Sequence, residues 1–430
     1  MKELGTNVKK ETLAGITTFV SMAYILFVNP SVLGASGMDK GAVFTATALS
    51  AILGCLLMAF LANYPIAIAP GLGDNAFFTY SVVLAMGIKW QTALAGVVVA
   101  SIIFTILTFF KIREIVINAI PHNLKLAMAA GIGMFIAFIG LQGGGLVVAS
   151  KSSLVQLGSL TVPTTWLTIF GLFVTALLMA RKVPGSIFIG IVATAILGLV
   201  TGLIKAPSQI VSSIPSMKPT FAVGIKHLGD VNTPQMWAVV LIFLLVAFFD
   251  TAGTLIGLAQ QAGLMKNDKM PRIGQALMAD SVSMLAGSVM GTTPTAAYVE
   301  SSAGIAVGGR TGFTALVVAV LFGFGMFFSP LLSVVTTQVT APALIIVGAL
   351  MAQSLKEIEW DKFEIALPAF LTVIAMPLTY NISYGFAFAF LIYPITMIAA
   401  GRKKELNPVV IALFFVFIVM LYVLNVLPSK

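Results

Sequence analysis

Four acidic residues stand where a carboxylate needs a reason to be. Asp74, Asp250, Asp280 and Glu300 lie within apolar sequence, whereas the other acids fall in polar connections or near helix ends. A carboxylate in hydrocarbon costs about 3 kcal/mol or more, so it is kept where it faces a cavity, finds a partner or exchanges a proton. Asp250, in Phe248-Phe249-Asp250-Thr251-Ala252-Gly253-Thr254, shares a helix face with Thr254 at i, i+4, with small residues between. Such a face admits a ligand, although an acid bonded to a neighbouring helix would read the same way. Glu300 comes six residues after Pro294 in a Gly- and Thr-rich break, 291–295, and follows Tyr298. It is the leading candidate for ligand contact. Asp280 has no break beside it and reads as a tertiary hydrogen-bonding group. Asp74 and Asn75 read as N-caps of a half-helix that continues Ala76-Phe77-Phe78, a role compatible with touching a ligand.

Other chemistries lack their residues. Cys55 is the single cysteine, and His122 and His227 lie in polar connections, so no metal and no cofactor is expected. There is no GxxxxGK[ST] loop and no soluble stretch long enough for a nucleotide-binding domain, so work must come from an ion or solute gradient. An intramembrane enzyme would want a His dyad, a Ser/Lys nucleophile or an Asp-rich diphosphate site, and no such cluster exists. An ion channel is disfavoured by paired breaks in an asymmetric chain. No membrane-embedded Lys or Arg lies near the breaks, so the site suits a neutral or cationic substrate better than an anion. Carboxylates accept hydrogen bonds from N–H groups, and Phe77, Phe78, Phe248, Phe249 and Tyr298 sit where a planar ring can stack. A nucleobase fits both.

The elements that hold these residues follow from composition. The chain has 430 residues, 59% hydrophobic and 9% charged, against about 25% charged in soluble domains, and a mean hydropathy of +1.05. It reads as one polytopic membrane unit. Runs such as Leu241 to Phe249 do not alternate, so the spans are helices and not barrel strands. Apolar runs predict helices over 12–30, 41–61, 65–87, 91–110, 123–141, 163–181 and 184–204, then 234–260, 272–290, 292–309, 312–336, 340–353, 363–380 and 382–400. The first is read as a retained helix and not a signal peptide. A last run, 407–427, is either a fifteenth span or an interfacial helix. With the N-terminus cytoplasmic, Lys9, Lys10, Arg113, Lys182, Lys266, Lys269, Arg310 and Arg402 fall inside with most other cations, while Lys40, Lys89, Lys151, Lys205, Lys218 and Lys226 fall outside. Lys430 follows the last segment. The net charge of +9 is thus explained by topology and calls for no nucleic-acid partner.

Seven spans per half is odd, so two related halves would insert with opposite orientation, as in many secondary transporters. The third helix breaks at Ala69-Pro70-Gly71-Leu72-Gly73-Asp74-Asn75 and the tenth is preceded by Gly291-Thr292-Thr293-Pro294-Thr295, matching ordinal positions at which Gly and Pro cannot sustain helix. Such discontinuities near the midplane aim half-helix ends at a substrate. The expected organisation is a first repeat over 1–204, a connecting loop over 205–232, a second repeat over 233–401 and a C-terminal hydrophobic segment over 402–430.

These residues resemble a known family. Gly15-Ile16-Thr17-Thr18-Phe19, Ser21-Met22-Ala23-Tyr24-Ile25, Val28-Asn29-Pro30, Ala67 to Gly71, Asn75 to Phe78, Phe248 to Thr254 and Tyr298-Val299-Glu300-Ser301 are similar to the AzgA-like purine permeases of the nucleobase-ascorbate transporter superfamily, from Leu4 to about Lys404. The resemblance implies an all-α, 14-helix, 7+7 inverted-repeat transporter. A core domain (helices 1–4 and 8–11) and a gate domain (5–7 and 12–14) would hold the base between them, with short strands near 66–70 and 293–297. It implies import of hypoxanthine, guanine or adenine by proton symport in a multi-pass plasma-membrane protein. Glu300, Asp250, Asn75, Phe77, Thr254 and Tyr298 would bind the base, and Asp250 and Asp74 would serve proton coupling. The partners implied are a purine nucleobase, a proton and the lipid bilayer, and a homodimer is compatible with it. The same fold carrying uracil or xanthine, or coupled to sodium, is the alternative. Asp74 departs from the family pattern, which has a hydrophobic residue there, and would cap the helix or add a titratable group.

Overall fold

The structure, a computed structural model, describes residues 4–112, 119–265 and 270–425, without the side chains of Phe249, Asp250, Ala252, Gly253, Ile256 and Asn425. The topology-setting charges Arg113, Lys266, Lys269 and Lys430 therefore lie outside the described residues. The first half comprises α1 (Val8–Gly34), α2 (Lys40–Ala62), β1 (Ile68–Pro70), α3 (Leu72–Ala76 continuing through Phe77–Ala85), α4 (Trp90–Phe109), α5 (His122–Gly143), β2 (Val147–Ser150), β3 (Leu154–Leu157), α6 (Pro163–Ala180) and α7 (Ser186–Val200). The second half comprises α8 (Pro234–Gln261), α9 (Ile273–Met290), β4 (Thr295–Ala297), α10 (Ser301–Ala306), α11 (Gly312–Ser333), α12 (Thr337–Glu357), α13 (Phe363–Thr379) and α14 (Ile382–Ala399), and α15 (Pro408–Asn425) follows. Among the described residues, eight of these helices are long and apolar enough to cross a bilayer.

The two halves interlock. Strands β1 and β4 come from corresponding positions of the two repeats and pair antiparallel, with Ile68 opposite Ala297, Ala69 opposite Ala296 and Pro70 opposite Thr295. The strands are short because Pro70 ends one donor row and Pro294 precedes the other. Backbone bonds from Gly71 to Pro294 (2.9 Å) and from Tyr298 to Ala67 (3.0 Å) extend the pairing at both ends. Around this junction α1 packs on α10 and α11, α2 on α9 and α11, and α4 on α8 and α9, which makes the core domain. The gate domain forms where α5 packs on α12 and α13, α6 on α7 and α12, and α13 on α14.

Small residues let the gate helices approach closely, as membrane helices require when no hydrophobic force separates protein from lipid. A Cβ on Gly133 would fall 2.5 Å from the Cβ of Met351, and one on Gly348 would fall 2.3 Å from the carbonyl oxygen of Gly133. Gly348→Leu therefore forces α5 and α12 apart. Overpacking of this kind costs about 1–3 kcal/mol or more, and the expected result is a clear drop in apparent Tm of the detergent-solubilised protein. An unchanged melting curve would show that this crossing is not tight.

At three points the structure differs from the sequence reading or adds to it. The third helix begins only at Leu72, since Pro70 and Gly71 are extended. The 142–162 connection, for which the sequence reading gave no element, carries a hairpin of β2 and β3 in which Val147 opposes Leu157 and Ser150 opposes Leu154. Its signal is the β-branched content of Val147, Val148 and Val155 around a Lys-Ser-Ser turn. Glu11, one of the acids placed in connections or near helix ends, does lie in the first turn of α1 but is fully buried. Its carboxylate accepts from the Arg310 and Thr311 backbone N–H groups (3.0 and 3.4 Å) and from the Thr314 hydroxyl (2.5 Å), capping the start of α11 from α1.

The last apolar run is a helix packed on α14 and α8, with Phe417 stacked on Phe390 at 5.2 Å. The connection before it is fastened by Arg402, which pairs with Glu364 (2.7 Å) and Glu405 (2.6 Å). The Arg402 guanidinium holds the exposed Glu405 carboxyl below its usual range.

Candidate functional site in the cavity between core and gate

The junction of β1 and β4 places both helix breaks at one spot. Gly71 is the extended N-cap of α3, with φ −74° and ψ 132°, and Leu72 starts the helix. Asp74 and Asn75, expected as caps, are instead third and fourth residues of that helix, and no side chain caps it. From Phe77 to Ala85 the helix winds with π geometry, a local widening frequent at functional sites. On the other side the chain leaves β4, turns at Val299 and Glu300, and enters the short α10 at Ser301.

A cavity of about 880 Å³ opens beside this junction. The core contributes Tyr24, Gly71, Gly73, Val246, Thr254, Tyr298 and Glu300, and the gate contributes Ile132, Val347, Leu350, Met351 and Gln353. It is a largely apolar space between two domains, with few polar groups to orient a ligand, as small-molecule sites usually are. Lys182 and Gly185, from the α6–α7 connection, also line it. Lys182, the one cation in that lining among the described residues, is exposed.

The expected site residues divide into two sets. Glu300, Tyr298 and Thr254 line the cavity. Glu300 is half-buried, and its Oε1 accepts a hydrogen bond from the Tyr24 hydroxyl at 2.5 Å. Tyr298 is held by its hydroxyl, which donates to the Pro70 carbonyl at 2.5 Å. Asp250 occupies the helical position between Val246 and Thr254, four residues from each, and both neighbours line the cavity. Its own side chain lies outside the described residues.

The second set stands behind the strands. Asn75 and Phe77 are fully buried and do not line the cavity. Asn75 Oδ1 accepts from the Thr293 hydroxyl, and Phe77 packs edge-on against Phe243 with centroids 4.9 Å apart. Asp74 and Asp280 are fully buried as well, in α3 and α9. Phe78 and Phe248 are buried, the latter against Phe104, so among the expected aromatics whose side chains are described Tyr298 is the one that lines the cavity.

Two residues that carry the site were named in the sequence only within family-like stretches, with no role given to them. Asn29 Nδ2 donates to Thr47 (2.7 Å) and Thr292 (2.9 Å), so Asn29 and Asn75 pin the consecutive Thr292 and Thr293 ahead of β4. Tyr24 sits where α1 loosens between Met22 and Ile25 into i+3 bonds, Leu26 to Ala23 and Phe27 to Tyr24. Pro30, inside the second part of α1, removes the donor that would close the next turn. That local loosening is the signal that marks Tyr24.

The comparisons agree with this geometry. Residues 9–388 match the permease family. The chain is 55% identical over 425 residues to guanine/hypoxanthine permease PbuG of Bacillus subtilis (strain 168), covering 97% of each. To adenine permease AdeQ of Escherichia coli (strain K12) it is 42% identical over 416 residues, 96% of this chain and 93% of that one. Among solved structures, the transmembrane domain of a cyanobacterium bicarbonate transporter, BicA, superposes with a TM-score of 0.63 at 16% identity, over 92% of this chain and 97% of that one. SLC26A9 gives the same TM-score at 11% identity, over 92% and 67%. At such identities the two structures speak for the shared 7+7 inverted-repeat fold alone. The chain therefore belongs to the permease family, as a multi-pass membrane transporter in the AzgA-like branch of the nucleobase-ascorbate transporter superfamily that its motifs resemble.

Proposed function

We propose that this permease imports purine nucleobases, hypoxanthine and guanine first and adenine as a further substrate, by proton symport across the plasma membrane with its N-terminus in the cytoplasm. The observation that carries the reading is Glu300, a carboxylate at the start of a half-helix that lines a largely apolar cavity between the core and gate helices. An ionised carboxylate there accepts ring N–H bonds, which are worth more in a water-poor site than in solvent. The names of the relatives, guanine/hypoxanthine permease and adenine permease, point to the same cargo.

Asp250 is the proposed proton carrier. It lies on the cavity-lining face of α8 between Val246 and Thr254, where a membrane-embedded acid can take up a proton and cross with it uncharged. Thr254 and Tyr298 complete the base-binding surface, while Asn75 and Phe77 support it by fixing the β1–α3 junction. Asp74, in the same junction, is the second proton-coupling residue. Residues 1–204 and 233–401 form the two repeats, joined by 205–232 and followed by 402–430. The cavity reaches Lys182 on the face that the charge distribution assigns to the cytoplasm, so this conformation is inward-open. Rocking of the gate against the core would expose the site to the other side.

Equilibrium binding of labelled hypoxanthine to the purified protein, competed by guanine, adenine, xanthine, uracil and bicarbonate, tests the cargo. Displacement by purines and not by bicarbonate is expected. Displacement by uracil alone would move the reading to a pyrimidine carrier on the same fold.

A further inference from the structure

Four aromatic rings meet where α3 of the core reaches the gate. Tyr80, on the π-wound part of α3, meets the ring of Tyr380 edge-on, with centroids 6.0 Å apart and planes at 84°. Phe135 and Phe138 of α5 meet the same Tyr380 ring edge-on, at 5.6 and 6.2 Å. Beside Tyr80, the hydroxyl of the fully buried Ser81 donates to the Tyr380 carbonyl at 3.4 Å. Edge-to-face pairs at these spacings attract beyond the area they bury.

The cluster lies outward of the cavity. Gly71, Leu72 and Gly73 line the cavity at the start of α3, and Tyr80 lies seven residues beyond Gly73, about 10 Å along a helix. On α5, Ile132 lines the cavity, and Phe135 and Phe138 follow three and six residues on, about 5 and 9 Å further along. None of the four rings lines the cavity itself. Both helices run on toward connections that carry Lys89 and Lys151, two of the cations assigned to the outside.

On the gate side the rings form one unit. Tyr380 ends α13 in the left-handed region, with φ 55° and ψ 30°, and the next residue, Asn381, starts α14 by accepting from the Ser383 N–H at 2.9 Å. That turn is fixed by both helices, and α5 packs on each of them. Moving the gate away from the core at this level therefore breaks the Tyr80–Tyr380 pair and the Ser81 hydrogen bond while the gate rings stay together.

We propose that Tyr80 and Ser81, docked on Tyr380 with Phe135 and Phe138 behind it, form an aromatic extracellular gate that parts to admit the base from outside. The inference rests on the inward-open, alternating-access reading above and gives its outer closure to named residues. Two weak contacts suit that task, since they favour the closed state and still yield in every cycle.

The test reads opening through Ser81→Cys, a buried position that parting of the gate uncovers. Full-length protein in intact cells is labelled from outside with a membrane-impermeant thiol reagent, and the buried Cys55 gives a background measured on the unmodified protein. Labelling of Ser81→Cys should be slow, and about tenfold faster once Tyr80→Ala or Tyr380→Gly is added. Glycine accepts φ 55° readily, so the second variant removes a ring and keeps the turn. Both together should do no more than either alone, because they delete one shared contact, and Tyr80→Phe should stay as slow as Ser81→Cys itself. Equal rates in every variant, or increases that add, would overturn the gate. Should Tyr80→Ala not fold, Tyr380→Gly decides, and an unchanged rate overturns it. Acceleration seen only from the cytoplasmic face, in inverted vesicles, would sink the inward-open reading together with this inference, whereas outside labelling indifferent to the ring variants would sink this inference alone.

Discussion

Glu300→Gln is expected to raise the KM for purine uptake by about a hundredfold, with much less effect on the amount of folded protein. A hydrogen bond to an ionised acceptor is worth about 1.5–3 kcal/mol, and leaving a buried partner unmatched adds to the loss. The Gln carbonyl can still take the Tyr24 proton, so the packing around 2.5 Å of contact is preserved. Its NH2 group then points donors at the ring donors that Oε2 used to receive. Radiolabelled hypoxanthine uptake, normalised to protein in the membrane, checks this. A KM within about threefold of wild type would remove Glu300 from the binding surface, since about 0.6 kcal/mol is too little for a charge-assisted bond.

Asp250→Asn should have the other large effect, on coupling and not on binding. Asparagine imitates the protonated acid in shape but carries no exchangeable proton. A one-to-one symporter can concentrate its cargo about tenfold per pH unit, because a pH unit corresponds to about 1.36 kcal/mol. The variant should lose this accumulation and bring internal and external base merely to equality, while exchange of internal for external base continues. Loss of exchange as well would mean that Asp250 binds the base, and accumulation at the wild-type level would hand proton coupling to another group, Asp74 being the candidate in the same junction.

How much of this was visible in the sequence depends on the range of the interactions. The helix breaks were legible because Pro70, Gly71, Gly291 and Pro294 are local obstacles to helix. Glu300 and Thr254 were legible because a polar group in an apolar run stands out without knowledge of its neighbours. Core and gate were reached only through the family resemblance, and the helix packing reproduces that division. The capping of α11 by Glu11 joins residues about three hundred positions apart, and nothing near Glu11 distinguishes it from a solvated acid at a helix start. The same holds for Tyr24 and Glu300, separated by 276 residues. Asn75 shows the converse case. Its motif marked it as important, but only the fold reveals that it braces Thr293 behind the strands and does not line the cavity in this conformation.

Uptake of labelled hypoxanthine into proteoliposomes under an imposed inward proton gradient tests the proposed mechanism most directly. Concentrative uptake that a protonophore abolishes, and that guanine and adenine compete, is the predicted result. Uptake that ignores the proton gradient and follows an inward sodium gradient, from a verified folded preparation, would contradict it.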